Sequence, residues 1–361
     1  MTRYGIVGCG MMGQEHIRNI ALLAQAQVAA FVEPDAGMAA RTQALVPGAA
    51  QCHDLPAMVA RNDVDALVIA SPNHLHVTHL QDVARTRPLP VLVEKPLFTH
   101  GDDEPVMRRF ATDYPAPIWV AMEYRYMPPI ARFREMAEEA TGGIRMLTIR
   151  EHRYPFLPKV AAWNRFNRTS GGTLVEKCCH FFDLMRLILR DDPVRVMASA
   201  GQAVNHLDEV HEGEVPDVWD HGYVIVDFAG GARAMLELCM FAEGSDYQEE
   251  LSAVGPNGKI QAFVPGPSRF WNLDNGPQPV PHVIVSPRNP TGPQRHDVPV
   301  DPQLLEAGDH NGATYYQHRQ FLDTVRNGRQ PEVTLADESN YSATSSLSAA
   351  GQLMTGFEFD V

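Results

Sequence analysis

Residues 5–16 read GIVGCGMMGQEH. An apolar run from Tyr4 to Val7 enters three glycines at G-x-G-x-x-G spacing, and Met12 to Leu23 then has helical periodicity. Glycine-rich hexamers alone are common in turns; a strand before and a helix after make this one a phosphate-binding loop. Gly8 permits the tight turn and Gly10 lets the backbone approach a pyrophosphate. Gly13 lets the helix pack close to the strand, and the helix N-terminus offers N–H donors. With Met11 and Met12 between them, these residues are candidate dinucleotide contacts.

Working outward, QVAAFVE ends at Glu33, about 20 residues past Gly13, where a carboxylate can accept hydrogen bonds from a ribose diol. The same carboxylate repels a 2′-phosphate, which favours NAD over NADP. VDALVIAS, PVLVE and APIWVAME are further strands with helices of about ten residues between them. This alternation predicts right-handed βαβ crossovers and a doubly wound parallel sheet buried on both faces, ending near residue 121. From 122 to 361 the texture changes. A helix near Pro129–Ala140 precedes a strand near Ile144–His152 and a helix from about Thr173 to Leu189. VRVMASA, GYVIVDFAG, ARAMLELCMF and YQEELSAVG then read as strands, with a hairpin at Gly230-Gly231. The fold class expected is α/β, a Rossmann domain followed by an α/β domain with an open, mostly antiparallel sheet. Residues 265–302, rich in proline, read as loop, and two helices are expected near 310–328 and 336–353.

The chain has 361 residues, 44% of them hydrophobic and 20% charged, with a formal net charge of −14. That is the balance of a two-domain globular protein, and it argues against a general nucleic-acid or anionic-membrane partner. No apolar run approaches the roughly 20 residues that span a bilayer. The first residues enter a strand at once, so no signal peptide is expected. Five cysteines without C-x-x-C spacing point to reduced thiols, a cytoplasmic setting and no metal site.

The tetrapeptide LVEK occurs twice, ending at Lys95 and at Lys177. Lys95 sits just past the carboxyl end of a strand, where open α/β sheets place their ligand crevice, and Pro96 holds it in extended geometry. The alternative is a surface lysine on a loop. The second copy follows Gly171-Gly172 and runs into a helical pattern. There Glu176, His180 and Asp183 fall at i, i+4 and i+7 on one face, so the carboxylate could orient the imidazole. Glu176 as an exposed helix residue and His180 as a satisfied core histidine remain the plain alternative.

The glycine loop, SPNHLH at Ser71–His76, EKP at Glu94–Pro96 and GGTLVEKCCHFFDLMRLIL together resemble the glucose–fructose oxidoreductase, inositol dehydrogenase and MocA family. The resemblance covers nearly the whole chain. It implies oxidation or reduction of a ring carbon in a sugar or cyclitol, with NAD as cofactor and a homodimer or homotetramer as the assembly. Lys95 resembles the family's active-site lysine and His180 its acid/base histidine; Glu176 stands where an aspartate is usual. Ser71, Asn73 and His76 match a loop that lies along the dinucleotide, and Glu94 and Arg125 are taken as further cofactor contacts. AMEYRYMP resembles the segment crossing into the second domain, with Glu123 where asparagine is common.

Hydride transfer from a secondary alcohol needs a proton acceptor, assigned to His180, and an ammonium polarising the same oxygen, assigned to Lys95. Glu176 would tune the pair, and Lys177 and Asp183 are candidate substrate contacts. The stretch 150–168 holds Arg150, Arg153, Lys159, Arg165 and Arg168 against Glu151, five cations to one acid. With Trp163 and Asn164 among them, Arg153, Lys159 and Arg165 suggest a pyranose-binding surface and an anionic group on the substrate; a solvated loop or an oligomer contact is the alternative. A dehydrogenase of a sugar, glycoside or cyclitol is the leading reading. A glycoside hydrolase using NAD transiently, through oxidation, elimination, hydration and re-reduction, is the second. A dinucleotide-sensing regulator without catalysis is the third.

Overall fold

The computed structural model describes residues 1–289, 292–335 and 357–360, so the helix expected near 336–353 lies outside the described residues. Two compact units are present. One contains Met1–Met122, Pro158–Glu176 and the described part of Thr314–Ser345; the other contains Glu123–Leu157, Lys177–Ala313 and the described end of the chain.

In the first unit, β1 (Thr2–Val7), β2 (Ala26–Val32), β3 (Ala50–Gln51), β4 (Ala66–Ile69), β5 (Val91–Val93) and β6 (Ile118–Val120) form one sheet. Every pairing in it is parallel, and the order is β3-β2-β1-β4-β5-β6. Strands β4 to β6 are buried at every position, which explains their unbroken apolar sequences. The crossover helices are α1 (Met11–Ala21), α2 (Ala36–Leu45), α3 (Leu55–Val59), α4 (His76–Thr86) and α5 (Glu104–Asp113). Strand order reverses between β1 and β4, which opens a crevice at the carboxyl ends of these strands. Asp35 caps α2 through Met38 N–H and Asp54 caps α3 through Ala57 N–H.

In the second unit, α6 (Pro128–Thr141) precedes β7 (Met146–His152). The helix expected over 173–189 is broken. Short α7 (Asn167–Ser170) and α8 (Thr173–Glu176) belong to the first unit, and α9 (Cys179–Leu189) starts afresh in the second. The break falls at Lys177–Cys178, where the lysine side chain is drawn into a buried ion pair. The helical spacing drawn from Glu176 to His180 therefore does not apply. Strands β8 (Pro193–Gly201), β9 (His221–Phe228), β10 (Arg233–Cys239), β11 (Glu249–Gly255) and β12 (Gly258–Val264) follow. The stretch expected as loop over 265–302 instead carries β13 (His282–Pro287), antiparallel to β12, and β14 (Gln294–Asp297), antiparallel to β13. With β15 (Phe357–Asp360), the order is β14-β13-β12-β11-β7-β10-β9-β8-β15, and only β7–β10 is parallel. The Gly230-Gly231 turn links β9 to β10 as the sequence indicates, with Gly231 at φ +87°. Short α10 (Pro302–Ala307) leads to α11 (Ala313–Asn327), which from Thr314 onward belongs to the first unit, and there its Phe321 is fully buried against Tyr4 and Trp119. Among the described residues no helix is long and apolar enough to cross a membrane.

At Gly13 an added Cβ would lie 2.1 Å from the Gly8 carbonyl oxygen, so the helix can approach the loop only without a side chain. Gly13→Ala is expected to destabilise the protein by about 1–3 kcal/mol through overpacking, read as a lower denaturation midpoint, with weakened NAD binding in calorimetry.

Candidate active site

A cavity of about 840 Å³ opens in the first unit at the carboxyl ends of the strands. Gly8, Gly10, Met11 and Met12 form part of its wall. A Cβ at Gly10 would meet nothing within 4 Å, while one at Gly8, at φ +81°, would lie 2.7 Å from the Ala70–Ser71 backbone. The loop is thus open where a ligand backbone would pass and closed where the chain itself approaches. Glu33 lines the cavity too, its carboxylate accepting Cys9 N–H at 2.6 Å and Asp35 N–H at 2.8 Å. Ser71 and Asn73 are in the wall, Ser71 Oγ 2.9 Å from His79 Nδ1 and Asn73 Nδ2 donating to Ser170 O at 3.0 Å. Burial pushes the His79 imidazole down to about 4, so it is neutral at physiological pH. These residues, with open space at Gly10, fit a dinucleotide.

His76, expected beside the dinucleotide, is fully buried and outside the cavity wall. Its ring nitrogens lie 2.8 Å from Pro96 O and 2.9 Å from Ser71 O, so it ties the lysine loop to the Ser71 loop. Gly13 likewise lies beneath the wall.

At the far end stand Glu94, Lys95, Lys159, Trp163 and Glu176. Lys95 precedes a cis proline, and its Nζ donates to the Glu176 carbonyl at 2.8 Å. Behind it Glu94 accepts from His16, with Nε2–Oε1 2.9 Å, and His16 Nδ1 lies 2.8 Å from His318 Nε2. Burial alone would raise the Glu94 carboxyl, but the His16 hydrogen bond and charge, then Lys95, bring it below its ordinary value. Sequence reasoning missed this chain, because α1, β5 and α11 supply it from positions as much as 302 residues apart.

Lys159 Nζ lies 3.3 Å from Glu176 Oε1 and 4.1 Å from the Trp163 ring centroid. Burial lowers its basicity, Glu176 opposes that, and Lys95 adds to it. Asn164 and Arg165 are buried and do not line the cavity. Three of the five cations in 150–168 are paired with acids, two of them with acids outside the stretch. Arg150 pairs with Glu250, its cross-strand neighbour, Arg153 with Glu151, and Lys159 with Glu176.

The second unit holds another buried cluster. Lys177, 4% exposed, hydrogen-bonds the Tyr124 hydroxyl and lies 2.8 Å from Glu151 Oε1. Glu151 on β7 faces Glu249 on β11 in the strand register, and Gln248 Nε2 donates to Glu249 Oε1 at 2.6 Å. Burial first, then the Glu151 charge, push the Glu249 carboxyl up to about 7, with Lys177 opposing. Arg125 and Asp183, expected to touch cofactor and substrate, grip each other in a buried two-pronged pair, Nε–Oδ2 2.5 Å. His180 stacks on Tyr124, ring centroids 4.2 Å apart and planes 5° from parallel, and its Nε2 lies 3.4 Å from Glu123 Oε1. No group of three or more candidate metal ligands occurs among the described residues.

Two family models divide the chain. Residues 2–121 match the oxidoreductase family's NAD-binding Rossmann fold, and residues 135–340 its C-terminal alpha/beta domain. The chain belongs to the Gfo/Idh/MocA oxidoreductase family. It is an NAD-binding oxidoreductase. The inositol 2-dehydrogenase of Rhizobium meliloti is 26% identical over 264 residues, covering 72% of this chain and 75% of that protein. The rhizopine catabolism protein MocA of Rhizobium meliloti is 25% identical over 240 residues, 66% of this chain and 72% of that one. Among solved structures, a levoglucosan dehydrogenase with NADH and levoglucosan aligns at TM-score 0.78 and 20% identity, covering 100% of this chain and 99% of that one. The Lactobacillus casei myo-inositol dehydrogenase with NAD(H) and myo-inositol aligns at 0.73 and 18%, covering 100% and 97%. These two likenesses show the shared fold.

The Glu249 carboxyl yields a stability test. Its folded-state pKa, about 7, lies above that of an exposed glutamate. The folded chain therefore holds a proton that the unfolded chain releases between about pH 4.3 and 7, and stability falls as pH rises through that window. Glu249→Gln is expected to raise the melting temperature at pH 8, with the gain shrinking through the window and gone below about pH 4; thermal melts at pH 8, 5 and 4 check it.

Proposed function

We propose that this protein oxidises a secondary ring hydroxyl of a neutral sugar or cyclitol with NAD. The observation that carries the reading is Lys95, whose ammonium stands in the same cavity as the glycine loop and Glu33, held by the Glu176 carbonyl. Bound nicotinamide supplies the hydride acceptor. Lys95 donates a hydrogen bond to the carbinol oxygen and favours the charge that develops there as the proton leaves. His180 is the proton acceptor, a role supported by its place in the chain, which matches the family's acid/base histidine. Glu176 offsets the charge of Lys95 and Lys159. The relatives named for inositol dehydrogenation support a ring polyol.

A neutral substrate is preferred over an anionic one because Arg150, Arg153 and Lys159 already have acids of their own. Charge-assisted bonds already made leave little to gain from a second anion. Apolar side chains exposed along the outer sheet face, Met146, Tyr223 and Ile225 among them, support self-association as a dimer or tetramer. Five free cysteines suit a reducing cytoplasm.

The test is a panel of inositols, aldopyranoses, methyl glycosides and uronic acids with NAD and with NADP, followed by NADH absorbance and aglycone release. Net NADH from neutral polyols is expected, with NAD preferred; aglycone release without net NADH, or a preference for NADP, would overturn the reading. Lys95→Ala and His180→Ala should each lower kcat by about 10²–10⁴-fold while NAD affinity stays near that of the wild type. Full activity in either variant would remove that residue from the mechanism.

A further inference from the structure

Glu176 is the carboxylate that the helical spacing offers to His180, but the helix is interrupted at Lys177–Cys178 and the Glu176 side chain is engaged by Lys159. Within the second unit His180 has a carboxylate of its own. Glu123 Oε1 lies 3.4 Å from His180 Nε2, and each residue is 1% exposed. His310 Nε2 lies 3.8 Å from the same oxygen, with its side chain 20% exposed. The Tyr124 ring, packed parallel on the imidazole, fixes the plane in which the histidine can turn.

We propose that Glu123 is the positioning residue of His180. It holds the Nε2–H tautomer, so that Nδ1 carries the lone pair that receives the substrate proton, and His310 connects the carboxylate towards solvent. In the forward step the substrate C–H bond gives its hydride to NAD and the O–H bond gives its proton to Nδ1. The products are the ketone, NADH and an imidazolium that Glu123 stabilises. A carboxylate against one ring nitrogen fixes which nitrogen is the base. The proton-transfer step rests on the dehydrogenase reading; the pairing of Glu123 with His180 does not.

Other charged groups around the ring set the balance. Lys177, three residues earlier, is bonded to Tyr124 and paired with Glu151, behind which stands Glu249. Asp183, three residues later, is held by Arg125. Glu123, 3.4 Å from Nε2, favours a charged imidazole, and its removal should lower the basicity of His180.

The experiment is an NMR titration of the full-length protein with NAD bound, using ¹⁵N- and ¹³C-labelled histidine, with His180 assigned by His180→Asn. In the wild type the neutral ring should be the Nε2–H tautomer. Glu123→Gln should lower the His180 pKa by about one to three units, the size expected for loss of an opposite charge at this range. Glu176→Gln should shift it less. An Nδ1–H tautomer in the wild type overturns the proposal without any variant, which covers the case in which Glu123→Gln fails to fold. A larger shift from Glu176→Gln than from Glu123→Gln also overturns it. Should no polyol of the panel yield NADH, the dehydrogenase reading fails while the titration still decides the pairing. Where NADH does form, the acid limb of kcat/KM should move to lower pH in Glu123→Gln.

Discussion

Charged groups removed from water must find one another, and this requirement fixes where the side chains of both clusters stand. Glu94, Glu176, Glu123, Glu151, Lys177, Arg125 and Asp183 are each at most 6% exposed. Removing one member of a buried pair typically costs about 3–5 kcal/mol, because its partner is left charged in a poor solvent. The pairs therefore act as registers. Lys177 can meet Glu151 only if the chain before α9 runs over β7, and His16 can meet Glu94 only if α1 lies against the end of β5. The arrangement that satisfies these charges is also the one that presents Lys95 to the cavity and His180 to Glu123.

The repeated tetrapeptide shows how context divides one sequence into two roles. In the first copy, Leu92 and Val93 are buried strand residues, Glu94 turns inward to His16, and Lys95 emerges at the strand's end. In the second copy, the boundary between the two units falls between Glu176 and Lys177. Glu176 serves the cavity with its carbonyl and its carboxylate, whereas Lys177 is consumed by Tyr124 and Glu151. Extended backbone before proline exposes the first lysine; a helix break buries the second.

Local signals carried the fold. Glycine spacing, the apolar strands of the parallel sheet and the Gly230-Gly231 hairpin each depend on neighbours within a few residues. What the sequence concealed depends on distant partners. Arg150 and Glu250 lie 100 positions apart, so the stretch 150–168 reads as a larger surplus of cations than the folded protein has. Strands β13 and β14 were masked by prolines at their flanks, and the pairing of β13 with β12 and of β14 with β13 supplies what local propensity withholds. Glu123 stood out only as an unusual acid, because nothing in the linear order joins it to His180, 57 residues later.

The backbone beneath Lys159 shows that placement here takes precedence over stability. Ala161 and Ala162 are consecutive residues in the left-handed region, at φ 54° and 50°. Such conformations cost on the order of 1–3 kcal/mol each for a residue with a Cβ and persist only where surroundings over-determine them. Those surroundings are visible. Ala162 N–H donates to Lys159 O at 3.0 Å, Thr169 Oγ1 donates to Trp163 O at 2.5 Å, and the Lys159 ammonium lies between Glu176 and the Trp163 ring. A glycine at either position would relieve the strain, yet would also free the segment that carries Lys159 and Trp163 into the cavity wall. Two alanines hold a narrower set of conformations, so the Lys159 ammonium and the Trp163 ring keep one geometry in the cavity wall at the cost of that strain.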